Sequence, residues 1–159
     1  MCIRDSIYLL SILRLTQFKF LPVDWRMLTA EFTETLQEYQ AACGDAFDLA
    51  PASAGVGALD AALERLDAGI ADGSVSVEAA NAARRDLARI LVPLNYTRVP
   101  RFRHDPAITC PPLPKLDVLL DLKDHDATTQ RFALTQALRS RNRVEAALRA
   151  ATQRVEAAL

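Results

Sequence analysis

The sequence predicts an all-α protein, an up-and-down bundle of four main helices interrupted by one long proline-rich loop. Three observations carry that expectation. Apolar residues recur at three- and four-residue steps, the spacing that lines one face of an α-helix. No stretch of useful length alternates apolar and polar residues as a half-buried strand would. Most of the eight prolines in the 159 residues crowd between Pro93 and Lys115, where a long helix cannot persist. Composition agrees: hydrophobic residues make up 50% but aromatic residues only 6%, so alanine and leucine supply the apolar faces.

In chain order, residues 1–6 resemble the translation of a transposon-end adapter used in preparing sequencing libraries, and are set apart from the fold. On that reading the natural frame continues upstream and the chain is a fragment. Residues 7–20 read as the end of a helix with Leu9, Leu10, Ile12 and Leu13 on a broad apolar surface. Leu21-Pro-Val-Asp24 stops it, and Asp24 is placed to cap the next helix. There Trp25, Leu28, Phe32, Leu36, Tyr39 and Cys43 form the clearest core-facing stripe, with Gly44 at its end. Residues 45–57, with Pro51, Gly55 and Gly57, are expected to form a looser connection.

A third helix carries Val56, Leu59, Leu63, Leu66 and Ile70, and Asp72-Gly-Ser74 closes it. Ser76 caps a fourth, expected to run to about Val92 and to bury Ala80, Leu87 and Leu91. After the loop, residues 116–122 suggest two turns of helix. Asp126 or Thr128 then caps the last helix, whose expected apolar positions are Phe132, Leu134, Leu138, Val144, Leu148, Ala151 and Val155. Arg-Val-Glu-Ala-Ala-Leu occurs at 143–148 and again at 154–159, an offset close to three helical turns that puts both copies on one face.

A net charge of −1 speaks against a broad nucleic-acid-binding surface. The apolar run 7–15 is too short to span a bilayer. Cys43 and Cys110 are too few to define a redox compartment. Asp124-His-Asp126 lacks the ligand number and spacing of a metal site and reads instead as a polar helix start. Arg98, Arg101, Arg103 and His104 are the stronger cluster, because guanidinium groups grip carboxylate or phosphate through paired hydrogen bonds. Ion pairing to acidic helix ends such as Asp86 or Asp105 is the competing structural use. His104 beside Asp105 has the make-up of an acid–base pair, but no Ser or Cys nucleophile in a recognisable setting accompanies it. Arg139, Arg141 and Arg143 with Asn142 encircle the last helix, so Arg141 or Asn142 must lie near its buried stripe and needs a partner.

Taken in order, these features resemble the C-terminal end of zinc aminopeptidases and carboxypeptidases of the glutamate-carboxypeptidase type, which close with a transferrin-receptor-like helical dimerisation domain. The resemblance rests on Leu13-Arg-Leu15, on Leu21-Pro-Val-Asp24 with the helix that follows, and on the helical pair around Leu59 and Leu66. It continues through Leu91-Val-Pro-Leu-Asn-Tyr-Thr-Arg98, Arg101-Phe-Arg-His-Asp-Pro106, Pro111-Pro-Leu-Pro114 and Arg141-Asn-Arg-Val144, and covers nearly all of residues 7–159. It implies that residues 7–21 are the last helix of a truncated peptidase domain. Residues 22–159 are then a domain that pairs subunits into a homodimer and borders the catalytic cleft. The family's paired zinc site lies in the upstream domain, so no catalytic or metal-binding residue and no cofactor is expected in this chain, with zinc expected in the parent protein. In some relatives a loop of this domain meets the substrate's terminal carboxylate. Here the Lys-Tyr pair of better-known members is missing, and Arg101, Arg103 and His104 are the candidates for that contact. A free-standing helical interaction module, or a small helical enzyme holding an anionic substrate on the arginine-rich loop, are the alternatives that the residues leave open.

Overall fold

The structure, a computed structural model, describes residues 3–99 and 110–159. Among them are five α-helices and no strand, an all-α helical bundle. Helix α1 is Ile3–Gln17, α2 is Trp25–Cys43, α3 is Ala50–Asp72, α4 is Val77–Tyr96 and α5 is Ala127–Glu156. The central rod is α5, about 45 Å long at the usual helical rise, packed chiefly against α3 and α4, while α2 packs against α3. A 3₁₀ turn at Asp117–Leu119 touches both α2 and α5 and closes that side of the bundle.

Local chemistry sets the helix starts as the sequence predicts. The Asp24 carboxylate accepts from the Arg26 and Met27 amides, and Ser76 Oγ accepts from Ala79 N at 3.1 Å. At α5 the cap is Asp126, which accepts from the amides of Thr128 and Thr129. Each satisfies amides that the first helical turn leaves without a partner. Gly44 and Gly73, at φ 60° and 81°, end α2 and α3 in backbone conformations that a side chain would strain.

The core gathers Phe32, Leu36 and Tyr39 of α2, Leu59 and Leu66 of α3, Leu87 and Leu91 of α4, and Leu148, Ala151 and Val155 of α5. Burying each large side chain contributes about 1.5–3 kcal/mol of transfer free energy. Helix α1 contributes nothing to this core, since none of its residues is buried. It begins at Ile3, inside the segment that the sequence sets apart, and ends at Gln17 rather than Phe20.

Four expectations are corrected. Residues 45–57 are not a loose connection: Gly44–Ala46 is a 3₁₀ turn and α3 already starts at Ala50. Gln40 organises this corner, donating from Nε2 to Gly44 O at 2.8 Å and Phe47 O at 2.9 Å while Oε1 accepts from Leu49 N. Pro51 sits in the first turn, where its missing N–H costs nothing, and Gly55 lies where an added Cβ would come within 3.1 Å of Leu148 on α5. Second, α4 runs past Val92 and through Pro93 to Tyr96, which buries Leu94 and Asn95. Third, residues 116–122 hold no α-helix. Leu113, Leu116, Leu119 and Leu122 are buried at intervals of three, the period of the 3₁₀ turns found at Asp117–Leu119 and Leu122–Asp124.

Fourth, Phe132 and Leu138 are 73% and 43% exposed. The buried face of α5 instead runs through Ala133, Ala137, Ser140, Val144, Leu148, Ala151 and Val155, small residues at its start. The two repeat copies match at their valines, both buried. They part at Leu148 and Leu159, because α5 stops at Glu156 and leaves Leu159 49% exposed.

Candidate functional site

Arg101, Arg103 and His104 lie outside the described residues. The two flanks of their segment are described, and both are held by buried polar groups. Asn95, in the last turn of α4 and 2% exposed, accepts from Leu113 N through Oδ1 at 3.2 Å and donates through Nδ2 to Glu31 Oε2 at 3.2 Å. One side chain thus ties α4, α2 and the returning chain together. Tyr39 adds a second grip, its hydroxyl donating to Pro112 O at 2.7 Å. Burial pushes the Tyr39 phenol far above its ordinary pKa, so it remains a donor throughout the neutral range. Both grips fall on the Pro112–Leu113 peptide unit, and Leu113 itself is buried at φ 50°, a left-handed conformation that costs a non-glycine residue about 1–2 kcal/mol. The core contact and the two hydrogen bonds hold it there.

Beside this clamp lies a pocket of about 270 Å³. Arg98, just past the end of α4, and Lys115, just before the 3₁₀ turn, form one side; Arg139 and Arg143 of α5 form the other. Asp117 also lines the pocket and is ion-paired with Arg98. Its carboxyl is nevertheless pushed above the ordinary carboxylate value, because the burial penalty exceeds the attraction of Arg98. The fold therefore brings together two arginine groups, at 98 and at 139 and 143, that stand far apart in sequence. Neither Lys115 nor Asp117 was a candidate site residue in the sequence, since neither belongs to the arginine clusters that stand out there.

Arg141 points elsewhere. It donates to Asp48 O at 2.9 Å, lies 5.4 Å from the Phe47 ring and approaches Glu145 to 2.9 Å, with its side chain 19% exposed. The approach to Glu145 balances charge but is out of line for a hydrogen bond. Of the two residues expected near the buried stripe, Arg141 is the one found there, while Asn142 is exposed.

A larger cleft of about 1050 Å³ runs between α2, α3 and the segment before α2. Five carboxylates and two arginines line it, and both arginines are paired. Arg26 forms a two-pronged pair with Asp60 at 3.3 Å, and Thr29 Oγ1 donates to Asp60 at 2.7 Å. These contacts hold the Asp60 carboxyl below its ordinary value. Arg84 donates to Leu21 O at 2.7 Å and pairs with Asp67 at 3.5 Å. Asn81 receives Leu21 N at 2.8 Å and donates to Lys19 O at 3.0 Å. Two side chains of α4 thereby fix the segment that carries α1.

Among the described residues no group of three His, Cys, Asp or Glu side chains is arranged to hold a metal ion. In the Asp124-His-Asp126 run, Asp126 caps α5, and the His125 carbonyl accepts from Gln130 Nε2 at 2.9 Å. The Cys43 thiol is buried and its pKa raised by that burial, the setting of an unreactive cysteine. No described helix is long and apolar enough to cross a membrane. Comparison with protein-family models, with curated proteins and with solved structures returns no match.

Proposed function

We propose that this chain is the helical dimerisation and cleft-shaping domain of a zinc-dependent exopeptidase, whose catalytic groups and zinc belong to another part of the polypeptide. The observation that carries the reading is α1. Ile7, Tyr8, Leu9, Leu10, Ile12, Leu13 and Leu15 are all exposed, and they point to every side of the helix. A helix apolar all round belongs inside a larger body, because water solvates it poorly on any face. The bundle core is closed without it. The short segment after α1 is pinned to α4 through Asn81 and Arg84, so a body packed around α1 would be held in a fixed relation to the bundle. The motifs from Leu13-Arg-Leu15 to Arg141-Asn-Arg-Val144 supply the family part of the proposal. In it Arg101, Arg103 and His104 border the cleft.

The test is sedimentation of the chain carrying Ile7→Lys, Leu10→Lys and Leu13→Lys together. The variant is expected to keep the cooperative melt of the parent chain, to lose detergent-sensitive aggregation, and to sediment as a dimer paired through the bundle. A monomer at tens of micromolar overturns the dimerisation role. A lost melting transition shows that α1 belongs to this fold, and zinc-dependent peptide hydrolysis by the chain alone removes the division of labour.

A further inference from the structure

We propose that the cleft between α2 and α3 seats a helix of a partner polypeptide, one that carries lysine or arginine beside a strip of small apolar residues. The inference does not depend on the role given to α1. A glycine inside a helix destabilises it, so each one calls for a reason. Of the five in the chain, Gly44 and Gly73 have positive φ, and Gly55 and Gly69 face Leu148 and Val75 so closely that a Cβ is crowded. Gly57 has neither reason. It lies inside α3 without a positive φ, and an added Cβ would meet nothing within 4 Å. The space that its missing side chain leaves open belongs to the cleft of about 1050 Å³, which Gly57 lines.

Trp25 makes a second, independent point. It lines the same cleft and is 8% exposed, and among the described residues its buried indole N–H has no acceptor. Burying a donor unpaired is unfavourable, and a docked chain brings carbonyl oxygens that can pair it. Small residues line the cleft from both helices, Ala30 and Thr33 on α2 and Gly57 and Ala61 on α3. They let a third helix come close in the groove of the pair. Val23 and Met27, 42% and 72% exposed at the same cleft, are apolar surface for that helix to cover.

Charge selects the kind of partner rather than the place. Five carboxylates line the cleft, and its two arginines, Arg26 and Arg84, are already paired with Asp60 and Asp67. A basic helix complements that lining. A second copy docked about a two-fold axis would set the acidic lining against itself, which favours a different polypeptide.

The test is titration of the full chain with a helical alanine–lysine peptide, followed by the emission of Trp25, the single tryptophan. An alanine–glutamate peptide of equal length is the comparison. A saturable change is expected with the lysine peptide alone, weakened roughly tenfold or more in Gly57→Leu, whose side chain fills the groove. Gly57→Leu is expected to melt no lower than the parent, since the bundle leaves that space open. Glu34→Gln/Glu64→Gln, assayed separately in case Gly57→Leu melts early, is expected to weaken binding likewise, and Glu78→Gln, outside the cleft, to bind as the parent does. No saturable change overturns the proposal, as does unchanged affinity in both cleft variants. So does an equal loss in Glu78→Gln, which would mark diffuse attraction only, or equal binding of the glutamate peptide. Self-association of the parent that Gly57→Leu abolishes also overturns it, because the occupant would then be a second copy.

Discussion

Replacing Asn95 by alanine isolates the clamp at the base of the proline-rich segment. The change deletes the acceptor for Leu113 N–H, a buried bond, and the donor to Glu31. Leaving the Leu113 amide buried without a partner costs about 1–3 kcal/mol. The Glu31 bond is half-exposed, so water replaces much of it and its loss adds about 1 kcal/mol. A total of about 2–4 kcal/mol follows, a fall in melting temperature of roughly 5–15 °C for a domain of this size.

Tyr39→Phe removes the other grip, the hydroxyl donation to Pro112 O, at about 1 kcal/mol. Both side chains hold one peptide unit, that between Pro112 and the strained Leu113. Once one grip is gone the segment relaxes and the second holds less, so the double variant is expected to fall short of the sum by about 0.5 kcal/mol or more. Urea unfolding followed by the fluorescence of Trp25, the single tryptophan, measures all three variants on one global transition. A loss below about 0.5 kcal/mol for Asn95→Ala, or strict additivity of the pair, would refute the clamp.

Two further outcomes follow from contacts elsewhere in the bundle. Gly69→Ala improves helix propensity by about 1 kcal/mol, yet its Cβ would lie 2.6 Å from Val75 Cγ2, and Val75 N is bonded to Gly69 O at 3.0 Å. Overpacking of about 1–3 kcal/mol wins, so urea midpoints are expected to fall, and a stabilised variant would show that the turn yields freely. Asp60 has a folded-state pKa depressed below its ordinary 3.8, so its contribution is present above that value and lost as pH falls through the folded one. Asp60→Asn is therefore expected to be less stable than the parent at neutral pH, with the gap closing as pH drops below 3.8; a gap that stays constant in acid contradicts the assignment.

Features that one stretch of chain decides were legible in the sequence. Asp24, Ser76 and Asp126 cap helices because their side chains reach amides two or three residues ahead, and spacing alone reveals that. The apolar stripe from Trp25 to Cys43 is legible for the same reason. What escaped depends on distant partners. Pro51 and Gly55 look like loop residues until Gln40 folds the preceding corner and Leu148 requires a residue without a side chain opposite it. Phe132 fits a helical period, but one residue further round α5 the small face of Ala133 and Ala137 admits its neighbours more closely. The site divides likewise. Arg98 was visible as part of a basic run, whereas its meeting with Arg139 and Arg143 needed the bundle, and Asn95 carries no local mark of the clamp it forms.

Helical rotation explains how one short turn of α5 serves three purposes. At about 100° per residue, positions 139 and 143 return to nearly the same face, and that face meets the basic pocket. Position 140 turns inward, which accounts for a small buried serine between arginines. Position 141 lies about half a turn from 139, and its side chain reaches Phe47, Asp48 and Glu145 at the corner before α3. The turn therefore carries arginines of two kinds. Arg141 gives up solvent for partners within the fold, so its loss is a loss of folding. Arg139 and Arg143 remain exposed beside the pocket that Asp117 also lines, so their charge is turned toward solvent and their loss leaves the core packing untouched.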